Sequence, residues 1–261
     1  MITFTYVTVC YNAAAVIGRT LDSVRRQDYP AIEHLIIDGA STDETLALVT
    51  AYSTQTDSDG TAHRVLVTSE PDHGIYDAMN KGLRSATGDY ICFLNAGDTL
   101  PTDNTVSAIA AAIGHPSSAI PYPAVLYGNT DIVDANGQFV RHRRLQPPEH
   151  LTWRSFRQGM VVCHQAFYAR TDFAIQNTFN TAYRLSADVD WCIRVMRQAD
   201  REQVPMLNLH RVVANYLEQG ATTTHHRASL MERYHIMAKH YGHLTTIVMH
   251  GWFVVRALFR Q

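Results

Sequence analysis

Apolar, β-branched runs alternate with stretches of helical periodicity, and the alternation repeats four times before residue 101. Phe4 to Cys10 reads as a strand, and Tyr11-Asn12-Ala13 turns out of it into a helix with Val16, Ile17, Leu21 and Val24 on one stripe. His34 to Ile37 predicts a second strand ending at Asp38-Gly39. Ser41 or Thr42 is then placed to cap a helix with Asp43 and Glu44 in its first turn. The polar run Thr54 to Thr61 predicts a surface loop and Val65 to Thr68 a third strand. Ile75, Ala78, Met79 and Leu83 share one face of a third helix. Gly88 then breaks the chain, and Tyr90 to Leu94 forms a fourth apolar run ended by Asn95-Ala96-Gly97-Asp98. Four strands, each followed by a helix, predict a parallel sheet with right-handed crossovers. Ligands of such a sheet sit beyond the carboxyl ends of its strands, where Asp38, Asp72 and Asp98 all fall.

The pattern changes afterwards. Ala108 to Ile113 continues as helix, and the Pro/Ser stretch His115 to Pro123 marks a break. Val125 to Val133 and Gln138 to Arg144 predict a hairpin around Ala135-Asn136-Gly137, since Asn-Gly is a strong turn signal. Met160 to Tyr168 predicts a strand containing His164, and Ser186 is placed to cap a helix that begins Ala187-Asp188-Val189-Asp190. From Ser229 the chain reads as helical. Its last part, Leu244 to Phe259, is apolar but interrupted by His250 and Arg256, which suits a membrane interface better than a span. The division expected is a domain over 1–228, with a nucleotide half 1–114 and an acceptor half 115–228, and a tail over 229–261. Residues 244–261 would bind a membrane surface or a second copy as a homodimer.

At 261 residues the chain can bury a substantial core, and a net charge of −2 gives no reason to propose nucleic acid. Cys10, Cys92, Cys163 and Cys192 are far apart among apolar neighbours, without a CxxC pair, and predict reduced thiols of a cytosolic protein. Met1-Ile2-Thr3-Phe4 has no basic leader, so a cytoplasmic location, peripheral on the inner face of the cell membrane, is expected.

Four stretches in order carry a resemblance: Thr8-Val9-Cys10-Tyr11-Asn12, Asp38-Gly39-Ala40-Ser41-Thr42-Asp43, Asp72-His73-Gly74-Ile75-Tyr76-Asp77-Ala78-Met79-Asn80-Lys81-Gly82 and Gly88 to Asp98. The chain resembles the family 2 glycosyltransferases, in the branch that builds bacterial exopolysaccharide, colanic-acid-type and glycolipid chains. The resemblance implies an α/β GT-A fold: a mainly parallel Rossmann-like sheet flanked by helices, with the hairpin in its second half and a helical tail. It also implies inverting transfer of a sugar from a nucleotide-diphosphate donor, with UDP-sugars favoured, to a hydroxyl of a glycan or lipid-linked acceptor. Thr8, Tyr11, Asn12, Asp38, Asp72, Asn80 and Lys81 would then bind the nucleotide. Asp98 would be the principal ligand of Mg²⁺ or Mn²⁺, with Asn95 beside it and His225 as a later ligand. Asp188 would be the base, Asp190 its reserve, and His164 would face the acceptor.

The sequence departs from the family pattern at two points. Asn95-Ala96-Gly97-Asp98 keeps one carboxylate where Asp-x-Asp is common, and Ala187-Asp188 lacks the glutamate of a Glu-Asp pair. Plainer roles exist for the same residues: Asp98 as the cap of a turn, and Asp188 and Asp190 as complements of a helix dipole. The missing carboxylates favour one rival class, a non-catalytic nucleotide-sugar or glycan-binding module. A dinucleotide oxidoreductase lacks support because no GxGxxG follows the first strand.

Overall fold

The computed structural model describes residues 1–58, 60–114, 122–218 and 226–258. Its first half alternates strand and helix: β1 (Phe4–Cys10), α1 (Ala14–Arg25), β2 (Ile32–Asp38), α2 (Thr45–Ser58), β3 (Arg64–Ser69), α3 (Ile75–Ser85), β4 (Tyr90–Phe93) and α4 (Thr105–Ile113). The second half holds β5 (Val125–Val133), β6 (Phe139–His142), β7 (Phe167–Arg170), α5 (Thr171–Gln176), α6 (Ala187–Glu202), β8 (Met206–Leu217), α7 (His226–Tyr241) and α8 (His243–Leu258). Together they form a mixed α/β architecture, a central sheet flanked by helices.

The eight strands run β3-β2-β1-β4-β7-β5-β6, with β8 along the other side of β5. β3, β2, β1 and β4 are mutually parallel, as the repeated strand–helix pattern requires, because each crossover helix returns the chain to the same end of the sheet. β7 pairs antiparallel with both β4 and β5, so the sheet is parallel in one half and mixed in the other. β1, β2 and β4 are buried along their whole length, which explains their unbroken apolar runs.

Four local expectations are corrected. Residues 54–58 continue α2, with Thr54 and Thr56 returning their hydroxyls to carbonyls one turn back, so the polar run there is a helical surface rather than a loop. The start of α2 is held by Asp43, whose carboxylate accepts the Thr45 N–H at 3.0 Å, and not by Ser41 or Thr42. Residues 164–166 form a 3₁₀ turn before β7, so His164 stands on a turn and not in a strand. Ser186 does precede α6, but its hydroxyl pairs with that of Ser229 at 3.2 Å and caps nothing. The break expected over 115–123 lies almost wholly outside the described residues.

Trp191 is fully buried among Phe93, Phe167 and Phe179, with ring centroids 4.9–5.6 Å away. It therefore seats α6 on β4 and β7 and is closed to a sugar. Ile236 and Met237 of α7 are buried too, and Ile236 joins the same main core. Residues 226–241 thus pack as part of the domain, whereas α8 leaves Leu244, Ile247, Val248 and Trp252 exposed.

Candidate functional site

A cleft of about 720 Å³ opens at the carboxyl ends of β1 and β4. One wall comes from the parallel half, with Val9, Cys10, Tyr11, Asp72, Asn95 and Asp98. The other comes from the second half, with His164, Gln165, Arg184, Asp188, Leu217 and Arg233.

The turn Asn95–Asp98 is clamped from behind. Thr20 on α1 accepts the Gly97 N–H at 2.8 Å and donates its hydroxyl to the Asp98 carbonyl at 2.7 Å. Gly97 has φ +98°, a left-handed turn that glycine adopts without strain. Across the cleft, Thr99 and Asn215 exchange backbone hydrogen bonds and bring β8 alongside. As a result Leu217 N–H donates to Asp98 Oδ1 at 2.9 Å, while Gln165 Nε2 donates to Oδ2 at 2.8 Å. Burial pushes the Asp98 pKa up to about 6, with these two donors and the more distant charges of His164 and Arg19 holding it from rising further.

Asp188 sits at the first turn of α6. Tyr76 donates its hydroxyl to Oδ1 at 3.0 Å, and His164 Nδ1 pairs with Oδ2 at 3.0 Å. Burial alone would raise its pKa. The His164 hydrogen bond and charge, the Arg233 charge and the Tyr76 hydroxyl outweigh burial and leave it below the usual carboxylate value. Burial and the neighbouring carboxylate push the Tyr76 phenol well up, so it keeps its proton and donates. His164 then reaches on through Nε2 to Asn95 Nδ2 at 3.1 Å, which links the two carboxylate sites through one imidazole. The Asn95 Oδ1 is buried and has no hydrogen-bond partner.

The other sequence-assigned residues divide clearly. Tyr11 and Asp72 line the cleft, Tyr11 largely exposed and Asp72 accepting the Gly74 N–H at 2.9 Å. Thr8 does not reach it: the strand's alternation aims its hydroxyl at the Leu94 carbonyl (2.8 Å) and His34 Nε2 (2.9 Å), under the sheet. Asn12 has φ +48° and uses its Oδ1 to accept the Thr42 N–H at 2.9 Å, so it joins two loops behind the cleft. The Asp38 carboxylate is fully buried and takes hydrogen bonds from Ser41 N–H at 3.0 Å, the Ser41 hydroxyl, and the Ser69 hydroxyl at 2.7 Å. It fastens the ends of β2 and β3. Asn80 exchanges hydrogen bonds with both backbone groups of Phe179, and Lys81 donates to the Pro71 carbonyl at 2.8 Å and pairs with Glu70 at 3.0 Å. Asn80 therefore ties α3 to the segment before α6, and Lys81 holds the Pro71 end of the Asp72 loop.

Asp190 is also out of reach. Two residues from Asp188 on a helix it faces another way, and it accepts from Arg194 at 2.7 Å, His240 at 2.8 Å and Lys239 at 3.2 Å. It ties α6 to α7, so the reserve role expected for it is replaced by a structural one. His225 lies outside the described residues. Among the described residues no group of three or more His, Cys, Asp or Glu is disposed to hold a metal. All four cysteines are free and buried, and at Cys10 burial and the Asp38 carboxylate push the thiol up to about 12.

Sequence reasoning missed Tyr76, Gln165, Arg184 and Arg233 as cleft residues. Tyr76 lies in a stretch that carried the resemblance and Gln165 directly follows His164, so both had a local signal. The two arginines had none, because only the packing of α7 against the loop before α6 brings them together.

Residues 5–179 match the family described as Glycosyl transferase family 2, two thirds of the chain, and the chain belongs to that family. It is 34% identical over 219 residues to a PGL/p-HBAD biosynthesis glycosyltransferase of Mycobacterium bovis (strain BCG / Pasteur 1173P2), covering 83% of this chain and 77% of that one. It is 29% identical to the amylovoran biosynthesis glycosyltransferase AmsB of Erwinia amylovora, over 82% of this chain and 69% of that one. Among solved structures it superposes on S. aureus TarS in complex with UDP-GlcNAc with a TM-score of 0.69 at 20% identity, covering 90% of this chain and 64% of the TarS chain, just under two thirds. The mannosyltransferase PcManGT of Pyrobaculum calidifontis, in complex with GDP-Man and Mn²⁺, gives a TM-score of 0.62 at 16% identity, covering 95% of this chain and 74% of that one. At these identities the two structures establish the shared GT-A fold.

Proposed function

We propose that the protein is an inverting glycosyltransferase that moves a sugar from a nucleoside-diphosphate donor, UDP-linked by preference, to a hydroxyl of a growing glycan or lipid-linked acceptor. The observation that carries this reading is the pair of carboxylates on opposite walls of one cleft with pKa values pushed apart, Asp98 up and Asp188 down. Two titratable groups divided in this way are suited to two different tasks.

Asp188 is ionised at neutral pH and is the base for the acceptor hydroxyl, an inverting transfer needing a proton acceptor on the side of attack. His164 and Tyr76 fix its orientation from both oxygens. Tyr11 and Asp72 hold the nucleoside side of the cleft. Asp98 and the unpartnered Asn95 Oδ1 are hard oxygen donors and fit Mg²⁺ or Mn²⁺, the remaining positions being left to the diphosphate and water. When bound, the ion would offset the charge of the leaving diphosphate. Support comes from the relatives, two of which are named for PGL/p-HBAD and amylovoran biosynthesis, and from the sugar nucleotides in the two similar structures.

No helix among the described residues is long and apolar enough to cross a membrane. The exposed face of α8, with Leu244, Ile247, Val248 and Trp252, is consistent with an enzyme that works on lipid-linked saccharides at a membrane surface.

Thermal-shift binding of UDP and GDP, with and without Mn²⁺, tests the donor site on the wild type and on Asp98→Ala. Stabilisation by a nucleotide, enhanced by metal and losing only the metal-dependent part in Asp98→Ala, is the expected result. A wild type that no nucleoside diphosphate stabilises would refute it and turn attention to the glycan-binding alternative.

A further inference from the structure

Two cations stand on the Asp188 side of the cleft with no substrate group yet assigned to them. Arg184, on the exposed loop before α6, and Arg233, on α7, both line it. Their placement is built by one neighbour: Glu232 accepts the backbone N–H groups of Arg184 and Leu185, each at 2.8 Å. One residue of α7 therefore fixes the loop, and the next, Arg233, lines the cleft.

Arg233 Nε is sealed from solvent and has no hydrogen-bond partner. A buried donor left without an acceptor costs free energy, and a charged one costs more. Asp188 does not supply the acceptor. It feels the Arg233 charge, but its hydrogen bonds come from Tyr76 and His164. Arg143, which also borders the cleft, differs: its guanidinium is engaged by the carbonyls of Leu145, Met160 and Val161. Arg233 thus lines the space that substrate must occupy with a charged side chain whose Nε has no acceptor.

We propose that Arg233, with Arg184 beside it, forms a phosphate-binding site supplied by the C-terminal helix α7, which takes the oxygens of a phosphate ester during sugar transfer. The proposal rests on the donor-site reading above and extends it to residues beyond the parallel half. A guanidinium presents two parallel N–H donors that match two phosphate oxygens, a geometry that neither lysine nor a metal ion reproduces. The ester has two possible sources: the outer phosphate of the nucleoside diphosphate, or the phosphate that joins an acceptor sugar to its lipid. Either places negative charge next to Asp188 only when substrate is present, and the unpartnered Arg233 Nε then gains an acceptor.

The test is calorimetric binding of UDP, UMP and uridine (or the guanosine series, whichever binds) to the full chain in EDTA, so that no metal contributes. If the donor diphosphate is the ligand, Arg233→Gln weakens UDP about tenfold and leaves UMP and uridine unchanged, a loss typical of one charge-assisted contact. Arg233→Lys restores part of the difference. Arg184→Gln, at an exposed side chain whose loss does not threaten folding, weakens UDP in the same direction by less. If the acceptor is the source, nucleotide binding is untouched. The KM for a phospholipid-linked acceptor then rises about tenfold relative to the same glycan without its phosphate. Variants that melt like the wild type and show neither change overturn the proposal while leaving the donor site standing. A wild type that binds no nucleoside diphosphate removes the donor reading itself, and the proposal with it.

Discussion

The two halves of the sheet are built on different principles. In β3-β2-β1-β4 each strand is followed by its own helix, every pairing is parallel, and the side chains that reach the cleft do so from the strand ends, the turns after them and the first turn of α3. In β7, β5, β6 and β8 the pairings are mostly antiparallel, and the cleft residues come from a 3₁₀ turn, the start of α6, the end of β8 and the middle of α7. The first half is a frame whose loops hold one another in place, as Asp38 and Asn12 do. The second half delivers the groups proposed to do chemistry, and holds them by contacts between segments far apart in sequence.

If that division is right, the largest effect of any single change belongs to the second half. Asp188→Asn keeps the shape of the side chain and removes the base, and kcat is expected to fall about 10³-fold, within the range for loss of a general base. The donor affinity measured by thermal shift should be nearly unchanged, because the frame is intact. His164→Gln should cost clearly less. Equal losses for the two variants would move the base from the carboxylate to the imidazole, with Asp188 as the group that orients it.

Next comes the tie between α6 and α7. Asp190 is fully buried, and its charge is met by Arg194, Lys239 and His240. Asp190→Asn leaves Arg194 and Lys239 without their anion and should destabilise the fold by about 3 kcal/mol, the scale for breaking a buried pair. Burial would raise the Asp190 pKa, but His240 and Arg194, then Lys239, outweigh it and hold the carboxyl well below the usual range. A depressed carboxylate contributes stability that is present above its unfolded value, near 3.8, and is lost as pH falls through the folded one. The wild type should therefore lose stability below about pH 4 more steeply than Asp190→Asn, with chemical denaturation at several pH values as the measurement. Parallel curves would show that the network adds nothing.

A smaller effect is expected in the frame. A Cβ at Gly82 on α3 would collide with the side chain of Val7 on β1, so Gly82→Ala should cost about 2 kcal/mol by overpacking, with kcat preserved in the folded fraction. A loss of kcat without loss of stability would show that α3 shapes the chemistry directly.

The same contrast explains what was legible in the sequence. β1, β2 and β4 were readable because burial on both faces leaves an apolar run, the exposed edge strand β3 because its residues are β-branched and apolar, and the helices because one face is apolar. β1 appears with the limits its composition predicts, and β2 and β3 extend one or two residues beyond theirs. Asp98 and Asp188 were readable as cleft residues because each sits at a local boundary, a strand end or a helix start. Thr8, Asn12, Asp38, Asn80 and Lys81 lay in the right stretches, yet which way a side chain turns depends on its partner. Those partners, such as Leu94 for Thr8 or Phe179 for Asn80, are distant in sequence. Arg233 is the extreme case, since nothing in its own helix sets it apart from other surface arginines.

The smallest effect tests the frame where it meets the proposed ion. Burial raises the Asp98 pKa from 3.8 to about 6, so without a cation the folded state binds the extra proton between those values and stability falls as pH rises through that window. A divalent ion at the same carboxylate competes with the proton, so its affinity should fall as pH drops below about 6. At ten times its Kd, Mn²⁺ adds about 1.4 kcal/mol, roughly 3 °C in Tm for a chain of this size. That increment should be present at pH 7.5, shrink toward pH 5, and vanish in Asp98→Asn at both. An increment that persists in Asp98→Asn would place the ion elsewhere, and the turn Asn95–Asp98 would then be a cap for the end of β4, with the leaving diphosphate left to the arginines of the second half.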